Sequence, residues 1–371
     1  MHTLLAALFF GLLPPVGDRI ELSTPAGARE PQLSVAADGT VVVAYGVKDA
    51  LHVQVSKDRG ASFGTPIRVG AKDKLALGMR RGPRVAVHGS AITLTAICGQ
   101  ELAGKDGDVF AWSSDDLGAT WKEPVRVNAV AGSAREGLQT LACGDDGALL
   151  CAWIDLRGEQ PVVMASKSSD GGRAWSENTN LMRAGNELCP CCCPTATFGP
   201  NGVEYLKWRG VVDGARDPWF TSGMMTSKSF LPPRRLATEH WKTDQCPMDL
   251  GSLLVTGLGQ TAIVRRAGKV VSLGGPNLAA AKEETVVGDG LQVWAARGAR
   301  HEYIVYSERP GGPLVLVTTE APRRVLAEKA RAAVIAAPPL GADPVIAAWE
   351  EGPADAPRIV LLRVDGAGEP R

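Results

Sequence analysis

Two short cysteine motifs hold the residues of this sequence that are best suited to chemistry. One reads Cys189-Pro190-Cys191-Cys192, and the other reads Cys246-Pro247-Met248-Asp249. Thiolates and thioethers are ligands that copper(I) and zinc prefer. One interpretation is therefore a copper or zinc site, with no other cofactor indicated. Its candidate ligands are Cys191, Cys192, Cys246, Met248 and His240.

A disulfide is the second interpretation of the same motifs. Paired cysteines are common in exported chains, and the spacing here fits no zinc-finger pattern. Cys189 and Cys246 occupy matching places in neighbouring repeats of the sequence, so we expect Cys189 to pair with Cys246 or with an adjacent cysteine. Free thiols are the third interpretation.

A column of arginines is the second candidate site. Arg29, Arg81 and Arg135 each stand two residues before a Pro or Gly that opens a repeated strand pattern. Three guanidiniums in one cluster can bind a carboxylate through bidentate hydrogen bonds. The alternative is structural, because arginines in such a cluster also pair with acids and hold neighbouring repeats together. The acids near them are Glu30, Glu136 and Asp249.

The elements that position these residues follow from a third pattern, Ser-x-Asp-x-Gly-x-x-aromatic. It occurs at 56–63, 114–121 and 168–175. An Asp carboxylate accepts hydrogen bonds from backbone N–H groups just ahead of it, and a following Gly adopts positive φ without steric cost. We therefore predict a structural role in tight turns for these residues. They are Asp58, Gly60, Asp116, Gly118, Asp170 and Gly172.

Around each such turn the sequence shows four short apolar runs separated by turn residues. This arrangement is typical of the four-stranded blade of an all-β propeller. We count seven blades, with six as the alternative, in a single domain over residues 18–371. Ile20-Glu21-Leu22 is expected to supply the last strand and close the ring. Aromatic residues recur at the end of the second strand, where packing between blades is the simplest role.

The repeated turn resembles the Asp-box, or BNR repeat, of the sialidase-like propellers, in which the box lies away from the catalytic face. Arg29-Glu30-Pro31 resembles the Arg-Ile-Pro motif of sialidases, which bind the carboxylate of sialic acid with three arginines. Sialidases also need a Tyr nucleophile, and no tyrosine here has a matching motif. The two cysteine motifs are similar to those of a bacterial subgroup of BNR-repeat proteins.

Composition narrows the possible partners. The 371 residues carry 40 Lys and Arg against 40 Asp and Glu, which argues against nucleic acid or an anionic membrane as the main partner. The apolar run Leu4–Leu13 is too short to span a bilayer and is typical of a signal peptide, here residues 1–17. We therefore expect a secreted or periplasmic protein with no stable membrane span.

The sequence leaves three functions open. The first is a binding propeller that holds a glycan, an anionic ligand or a protein partner on its axial face. The second is a glycoside hydrolase of the exo-α-sialidase type. The third is a copper- or zinc-binding protein that uses the cysteine cluster.

Overall fold

The computed structural model describes residues 17–78, 80–182, 187–236, 239–249, 251–257, 259–278, 281, 284–318 and 321–365, without the side chains of Glu136 and Ala321. In these residues the chain forms thirty strands, arranged in seven antiparallel sheets, and one 3-10 turn at Pro200–Gly202. The prediction of a seven-bladed, all-β propeller is confirmed. Of the expected signal peptide, residues 1–16 lie outside the described residues.

The first three blades are built from consecutive strands along the chain. Blade 1 contains β2 (Ala28–Val35), β3 (Val41–Val47), β4 (Ala50–Ser56) and β5 (Ile67–Gly70). Blade 2 contains β7 (Arg84–His88), β8 (Ala91–Gly99), β9 (Asp108–Ser114) and β10 (Val125–Arg126), with β6 (Lys74–Leu75) beside β8. Blade 3 contains β11 (Ala134–Cys143), β12 (Leu149–Asp155), β13 (Val162–Ser168) and β14 (Thr179–Asn180).

The remaining blades follow the same order. Blade 4 contains β16 (Thr195–Phe198), β17 (Val203–Val212), β18 (Ala215–Met224) and β19 (Arg234–Arg235), with β15 (Glu187–Leu188) beside β17. Blade 5 contains β20 (Ser252–Thr256), β21 (Gly259–Arg266), β22 (Lys269–Gly275) and β23 (Glu284–Asp289). Blade 6 contains β24 (Leu291–Arg297), β25 (Glu302–Ser307), β26 (Leu314–Thr318) and β27 (Ala321–Ala327). Blade 7 contains β28 (Arg331–Ala336), β29 (Ile346–Glu351), β30 (Arg358–Arg363) and β1 (Ile20–Glu21).

The N-terminal strand β1 closes the ring, as the sequence predicts. Ile20 pairs with Leu361 and Glu21 with Val360, so the outermost strand of blade 7 comes from the other end of the described chain. This pairing satisfies the edge of β30, which would otherwise expose unpaired backbone groups. Within the described residues, no helix has the length and apolar character needed to cross a bilayer.

The core lies between neighbouring blades. Apolar side chains from adjacent sheets interdigitate there, as expected for strands whose two faces are both covered. The aromatic column lies within the second strand of five blades and is buried throughout. Its members are Tyr45, Trp153, Trp208, Tyr306 and Trp349. These side chains are therefore packing residues, as predicted.

The three repeated turns lie between the third and fourth strands, and we call them the Asp turns. In the first, the hydroxyl of Ser56 donates to Asp58 Oδ1 at 2.7 Å and accepts from the N–H of Gly60 at 2.8 Å. Asp58 Oδ1 also accepts from the N–H of Ser62 at 2.9 Å. The hydrogen bonds from Ser62 and Ser56 lower the pKa of Asp58 to about 2.

The other two Asp turns repeat these contacts around Asp116 and Asp170. Gly60 shows why glycine is needed, because its φ is +85° and a Cβ there would lie 2.7 Å from Cδ1 of Ile346 in blade 7. Each Asp turn is therefore both a closed hydrogen-bonding unit and a packing surface for the preceding blade. The geometry fits the structural role predicted for these residues.

Blade 4 has no Asp at the corresponding turn and uses a different device. Lys167 of blade 3 extends its ammonium group to the carbonyls of Met224 and Ser227, at 2.6 Å and 3.0 Å. The same group pairs with the buried Glu204 carboxylate at 2.5 Å and lies 4.7 Å from the centre of the Phe230 ring. A cation from the neighbouring blade thus holds a turn that lacks its own carboxylate.

Candidate functional site

All innermost strands begin at one face of the ring, which we call the arginine face. The strand register aligns these strands across the seven blades. One set of equivalent residues is Gln32, Arg84, Thr140, Thr195, Ser252, Trp294 and Val334. Three residues earlier, at the start of each innermost strand, stand Arg29, Arg81, Gly137, Cys192, Asp249, Leu291 and Arg331.

In blade 3 this count reaches Gly137. The register of β11 is irregular between Ala134 and Gln139, and the residues between them, including Arg135, have no partner in β12. A Cβ at Gly137 would overlap Cβ of Arg81 at 2.0 Å, so Arg81 packs directly on the backbone of blade 3. Arg135 is half-buried in β11. The side chain of Glu136, one of the expected acid partners, lies outside the described residues.

The alignment also adds an arginine that sequence reasoning missed. Arg331 begins the innermost strand of blade 7, equivalent to Arg29 in blade 1. No Pro or Gly follows it at the expected distance, so the motif used to find the column is absent. Counting back from the aromatic Trp349 in the next strand would have found it.

The structure brings together Arg29, Arg331 and a further arginine, Arg80. They line a pocket of about 320 Å³ between blades 6, 7, 1 and 2, which we call the arginine pocket. Arg81 and Arg135 are not among its lining residues. Arg29 donates to the carbonyl of Ala354 at 2.8 Å, and Arg331 donates to the carbonyl of Gly352 at 3.0 Å. Both arginines therefore also hold the loop between β29 and β30.

Arg80 is the most deeply placed of the three, with 5% of its surface exposed. Its Nη2 donates to the carbonyl of Ala333, and its guanidinium lies 5.3 Å from the centre of the Trp294 ring. Nη1 is buried and has no hydrogen-bond partner among the described residues. Unpaired donors on a buried cation are rare in folded proteins because they lose their hydration without compensation.

Two carboxylates lie beside these arginines. Glu350 accepts from the backbone N–H of Glu30 at 2.7 Å and lies 3.6 Å from Nε of Arg331. Glu30 accepts from the backbone N–H of Arg80 at 3.1 Å. Burial, with the repulsion of Glu350, raises the pKa of Glu30 to about 6. The pocket thus contains one carboxyl group that titrates near neutral pH.

The cysteine cluster lies on the same face, at the starts of blades 4 and 5. Cys191 forms a disulfide with Cys246, across 6.5 Å between their Cα atoms. This corrects the expected pairing of Cys189 with Cys246. The backbone N–H of Cys189 bonds to the carbonyl of Arg209 and continues the pairing of β15 with β17, so Cys189 stays against blade 4. Cys191, two residues later in a turn, is the one that reaches Cys246.

The remaining thiols of the cluster surround this disulfide. Sγ of Cys189 lies 3.5 Å from Sγ of Cys191 and 3.9 Å from Sγ of Cys192. Nη1 of Arg216 donates to Sγ of Cys189 at 3.1 Å. The hydrogen bond from Cys192, with that from Arg216, lowers the pKa of Cys189 to about 6 despite burial. The pKa of Cys192 is raised in turn.

The predicted metal ligands are only partly brought together. Among the described residues, Cys189, Cys191 and Cys192 form the one group of His, Cys, Asp or Glu ligand atoms spaced for a metal ion. His240 is not a member of this group, because its Nδ1 lies 3.0 Å from the carboxylate of Asp217. Met248 is 40% exposed. With Cys191 and Cys246 bonded to each other, the predicted five-ligand set does not assemble.

The four tyrosines do not supply a sialidase nucleophile to the arginine pocket. Tyr45, Tyr303 and Tyr306 are buried in the core. Tyr205 is on the outer part of blade 4, where its hydroxyl accepts from the amide of Gln260 at 3.1 Å. None of the four lines the pocket.

Comparison with known proteins identifies structures of similar fold but no family. No protein-family model matches the chain, and no curated protein matches it significantly. The α-L-arabinanase of Penicillium chrysogenum, solved with arabinobiose, has a TM-score of 0.54 and 11% identity over 95% of this chain and 99% of that chain. The Fusarium graminearum α-L-arabinofuranosidase of family GH93, also solved with arabinobiose, has a TM-score of 0.53 and 12% identity over 94% of this chain and 98% of that chain. The Hadza microbial sialidase Hz136 has a TM-score of 0.49 and 16% identity over 92% of this chain and 66% of that chain. At these identities the similarity to the arabinanase and the arabinofuranosidase supports the propeller architecture alone.

Proposed function

We propose that the protein is a binding propeller that holds the carboxylate of an acidic sugar in the arginine pocket. The observation that carries the proposal is the convergence of three arginines, Arg29, Arg80 and Arg331, on one pocket. Arg29 and Arg331 would donate charge-assisted hydrogen bonds to a bound carboxylate, and Arg80 would add positive charge behind them.

The charges of the pocket favour an anion. Arg29, Arg80 and Arg331 contribute three positive charges, and Glu30 and Glu350 contribute at most two negative ones. A guanidinium has five N–H donors, so Arg29 and Arg331 keep donors free for a ligand beyond those used on loop carbonyls. The excess of positive charge is greatest when Glu30 is protonated.

The size of the pocket suits a single sugar unit. Its volume of about 320 Å³ lies at the lower end of the range for small-molecule sites, about 300–1,000 Å³. Solved propellers of this architecture include two that hold arabinobiose, which makes sugars the first ligands to test. Small anions and protein partners are the alternatives within the same binding function.

Calorimetry with glucuronic acid, N-acetylneuraminic acid and galactose tests the proposal. We expect the acidic sugars to bind and the neutral one not to bind. Arg331→Gln should weaken binding of the acid at least tenfold, about 1.4 kcal/mol. Arg358→Gln is the matched control, because this exposed arginine of blade 7 pairs with Glu21 instead. Equal binding of acidic and neutral sugars, or no loss in Arg331→Gln, would contradict the proposal.

Glycoside hydrolysis is the second candidate, and Glu30 is the observation that favours it. Glycosidases pair a carboxyl group of raised pKa with an ionised one. Glu30, with its pKa of about 6, lies beside Glu350 in the same pocket. A panel of chromogenic α-glycosides, including a sialoside and an arabinofuranoside, tests it. Turnover that disappears in Glu30→Gln while ligand binding persists would support hydrolysis.

We also propose that the chain is exported, with a signal peptide at 1–17 and a single propeller domain over 18–371. The disulfide between Cys191 and Cys246 supports an oxidising compartment. N-terminal sequencing of the secreted or periplasmic protein tests this, and an uncleaved leader on a cytoplasmic protein would contradict it.

A further inference from the structure

Four sulfur atoms in the cysteine cluster form a short path from the interior to the surface. Cys189 and Cys192 are buried, Cys191 is half-buried, and Cys246 is exposed. The path includes one disulfide, Cys191–Cys246, and one thiol in contact with it, Cys189 at 3.5 Å from Sγ of Cys191. A disulfide that serves only as a staple needs no third sulfur at this distance.

We propose that this cluster is an exchange-active disulfide centre, in which Cys189 opens the Cys191–Cys246 bond and Cys246 then reacts with a low-molecular-weight disulfide. In the first step, the Cys189 thiolate attacks Sγ of Cys191. The Cys189–Cys191 bond forms, the Cys191–Cys246 bond breaks, and its electron pair leaves on Sγ of Cys246. In the second step, the Cys246 thiolate attacks the external disulfide, forms a mixed disulfide and releases one external thiolate.

Arg216 is the positioning residue of this centre. Its guanidinium donates to Sγ of Cys189 at 3.1 Å and to the carbonyl of Thr243 at 3.0 Å. It therefore links Cys189 to the segment that carries Cys246. Its positive charge stabilises the attacking thiolate, while the buried position of Cys189 keeps external reagents away from that sulfur.

The exposure of the sulfurs sets the direction of the exchange. Cys246 is the exposed partner of the disulfide, so it is the sulfur that meets reagents once it is released. The new Cys189–Cys191 bond stays within one loop of blade 4. The exchange therefore also removes the covalent link between blades 4 and 5, next to Asp249 on the arginine face.

An aromatic disulfide reagent, 5,5′-dithiobis(2-nitrobenzoic acid), tests the proposal on the oxidised full-length protein without added reductant. We expect one equivalent of thiolate to be released and the label to lie on the tryptic peptide 243–265, which contains Cys246. Cys189→Ser should slow this release at least tenfold. Cys143→Ser, which removes a free thiol of blade 3, is the matched control and should leave it unchanged.

Arg216→Gln gives a second readout that a purely structural role would not produce. The variant removes the hydrogen bond from the guanidinium to Sγ of Cys189 and leaves the disulfide and its neighbouring thiol in place. Release of thiolate should therefore be slower than in the parent protein, and an unchanged rate would mean that Arg216 does not position Cys189. Because this variant keeps every cysteine, it also covers the case in which Cys189→Ser fails to fold.

Several outcomes would overturn the proposal. Label on the peptide that carries Cys189, Cys191, Cys192 and Cys193 would mean that the reagent reacts in blade 4 and not at Cys246. An absence of label on either peptide would leave the disulfide as a staple. Purified protein with Cys189, Cys191, Cys192 and Cys246 all reduced and one equivalent of zinc or copper bound would make the cluster a metal centre.

Discussion

The two faces of the ring differ in how far their residues repeat. On the outer side, the Asp turns of blades 1, 2 and 3 use the same residue types and the same hydrogen bonds. On the arginine face, the equivalent position changes from blade to blade through Arg, Gly, Cys, Asp and Leu. Repetition therefore marks positions that have the same structural role in these three blades.

The Asp turns and the arginine face also differ in how their charged side chains are hydrogen-bonded. The carboxylates of the Asp turns accept hydrogen bonds from both backbone and side chains. On the arginine face, Arg80 Nη1, Arg84 Nε and Asp249 Oδ1 are buried without hydrogen-bond partners among the described residues. Departures from local consistency concentrate where proteins bind ligands. The unpaired charged groups are therefore on the same face as the proposed ligand site.

The turn of blade 4 corresponds to the Asp turns but lacks an Asp, and it depends on Lys167 instead. Replacing Lys167 by Met should leave Glu204 buried and unpaired and lower the free energy of unfolding by about 3–5 kcal/mol. Urea denaturation measures this change. Lys228→Met is the control, since its ion pair with Glu177 is almost fully exposed. Similar losses in both variants would show that Lys167 does not hold the turn.

Gly60 tests whether the first Asp turn is also a packing surface. Gly60→Ala places a Cβ at positive φ, which costs about 1–2 kcal/mol. Contact with Ile346 adds an overlap of about 1–3 kcal/mol. Gly70→Ala should show the backbone cost alone, because φ is +102° there and no atom lies within 4 Å of the added Cβ. Thermal unfolding of both variants measures the two losses of stability. Equal losses would show that the contact with Ile346 gives the turn no packing role.

Glu30 tests whether a buried carboxyl group of the arginine pocket lowers the stability of the fold. Its folded pKa of about 6 exceeds the ordinary 4.5, so the folded state holds a proton that the unfolded state loses. Stability therefore falls as pH rises from about 4.5 to 6, and the penalty persists above that range. Glu30→Gln should stabilise the protein by about 1–2 kcal/mol at pH 7.5.

The stability of Glu30→Gln at low pH is the control for this prediction. Below pH 4.5 the carboxyl group is protonated in both the folded and the unfolded state, so the advantage of Glu30→Gln should vanish. Unfolding curves at pH 4 and pH 7.5 give the difference. A variant that is equally stable or less stable at both values would mean that Glu30 is well accommodated as an anion.

The fold was predictable because its signals are local and repeated. Valine-rich runs, turn residues and the aromatic column are each contained within about fifty residues, and they recur. Closure by Ile20-Glu21 was also predictable, because blade 7 lacks a fourth strand of its own. These features depend on periodicity, which sequence alone displays.

The site was less predictable because it depends on single departures from the repeat. Arg80 belongs to no column, and only the structure places it between Arg29 and Arg331. Arg135 lies in the irregular part of β11 and does not line the arginine pocket, and no spacing rule reveals such an irregularity. The choice of Cys191 over Cys189 for the disulfide depends on the path of one turn.

The closure of the ring by β1 makes the chain suitable for circular permutation. The backbone N–H of Gly17 bonds to the carbonyl of Arg363 at 3.1 Å, so a short peptide could join the two ends of the described chain there. New termini could then be opened between blades 4 and 5, where the Cys191–Cys246 disulfide would hold the seam covalently. In such a permutant, the redox state of one bond would decide whether the new seam is held covalently or by packing alone.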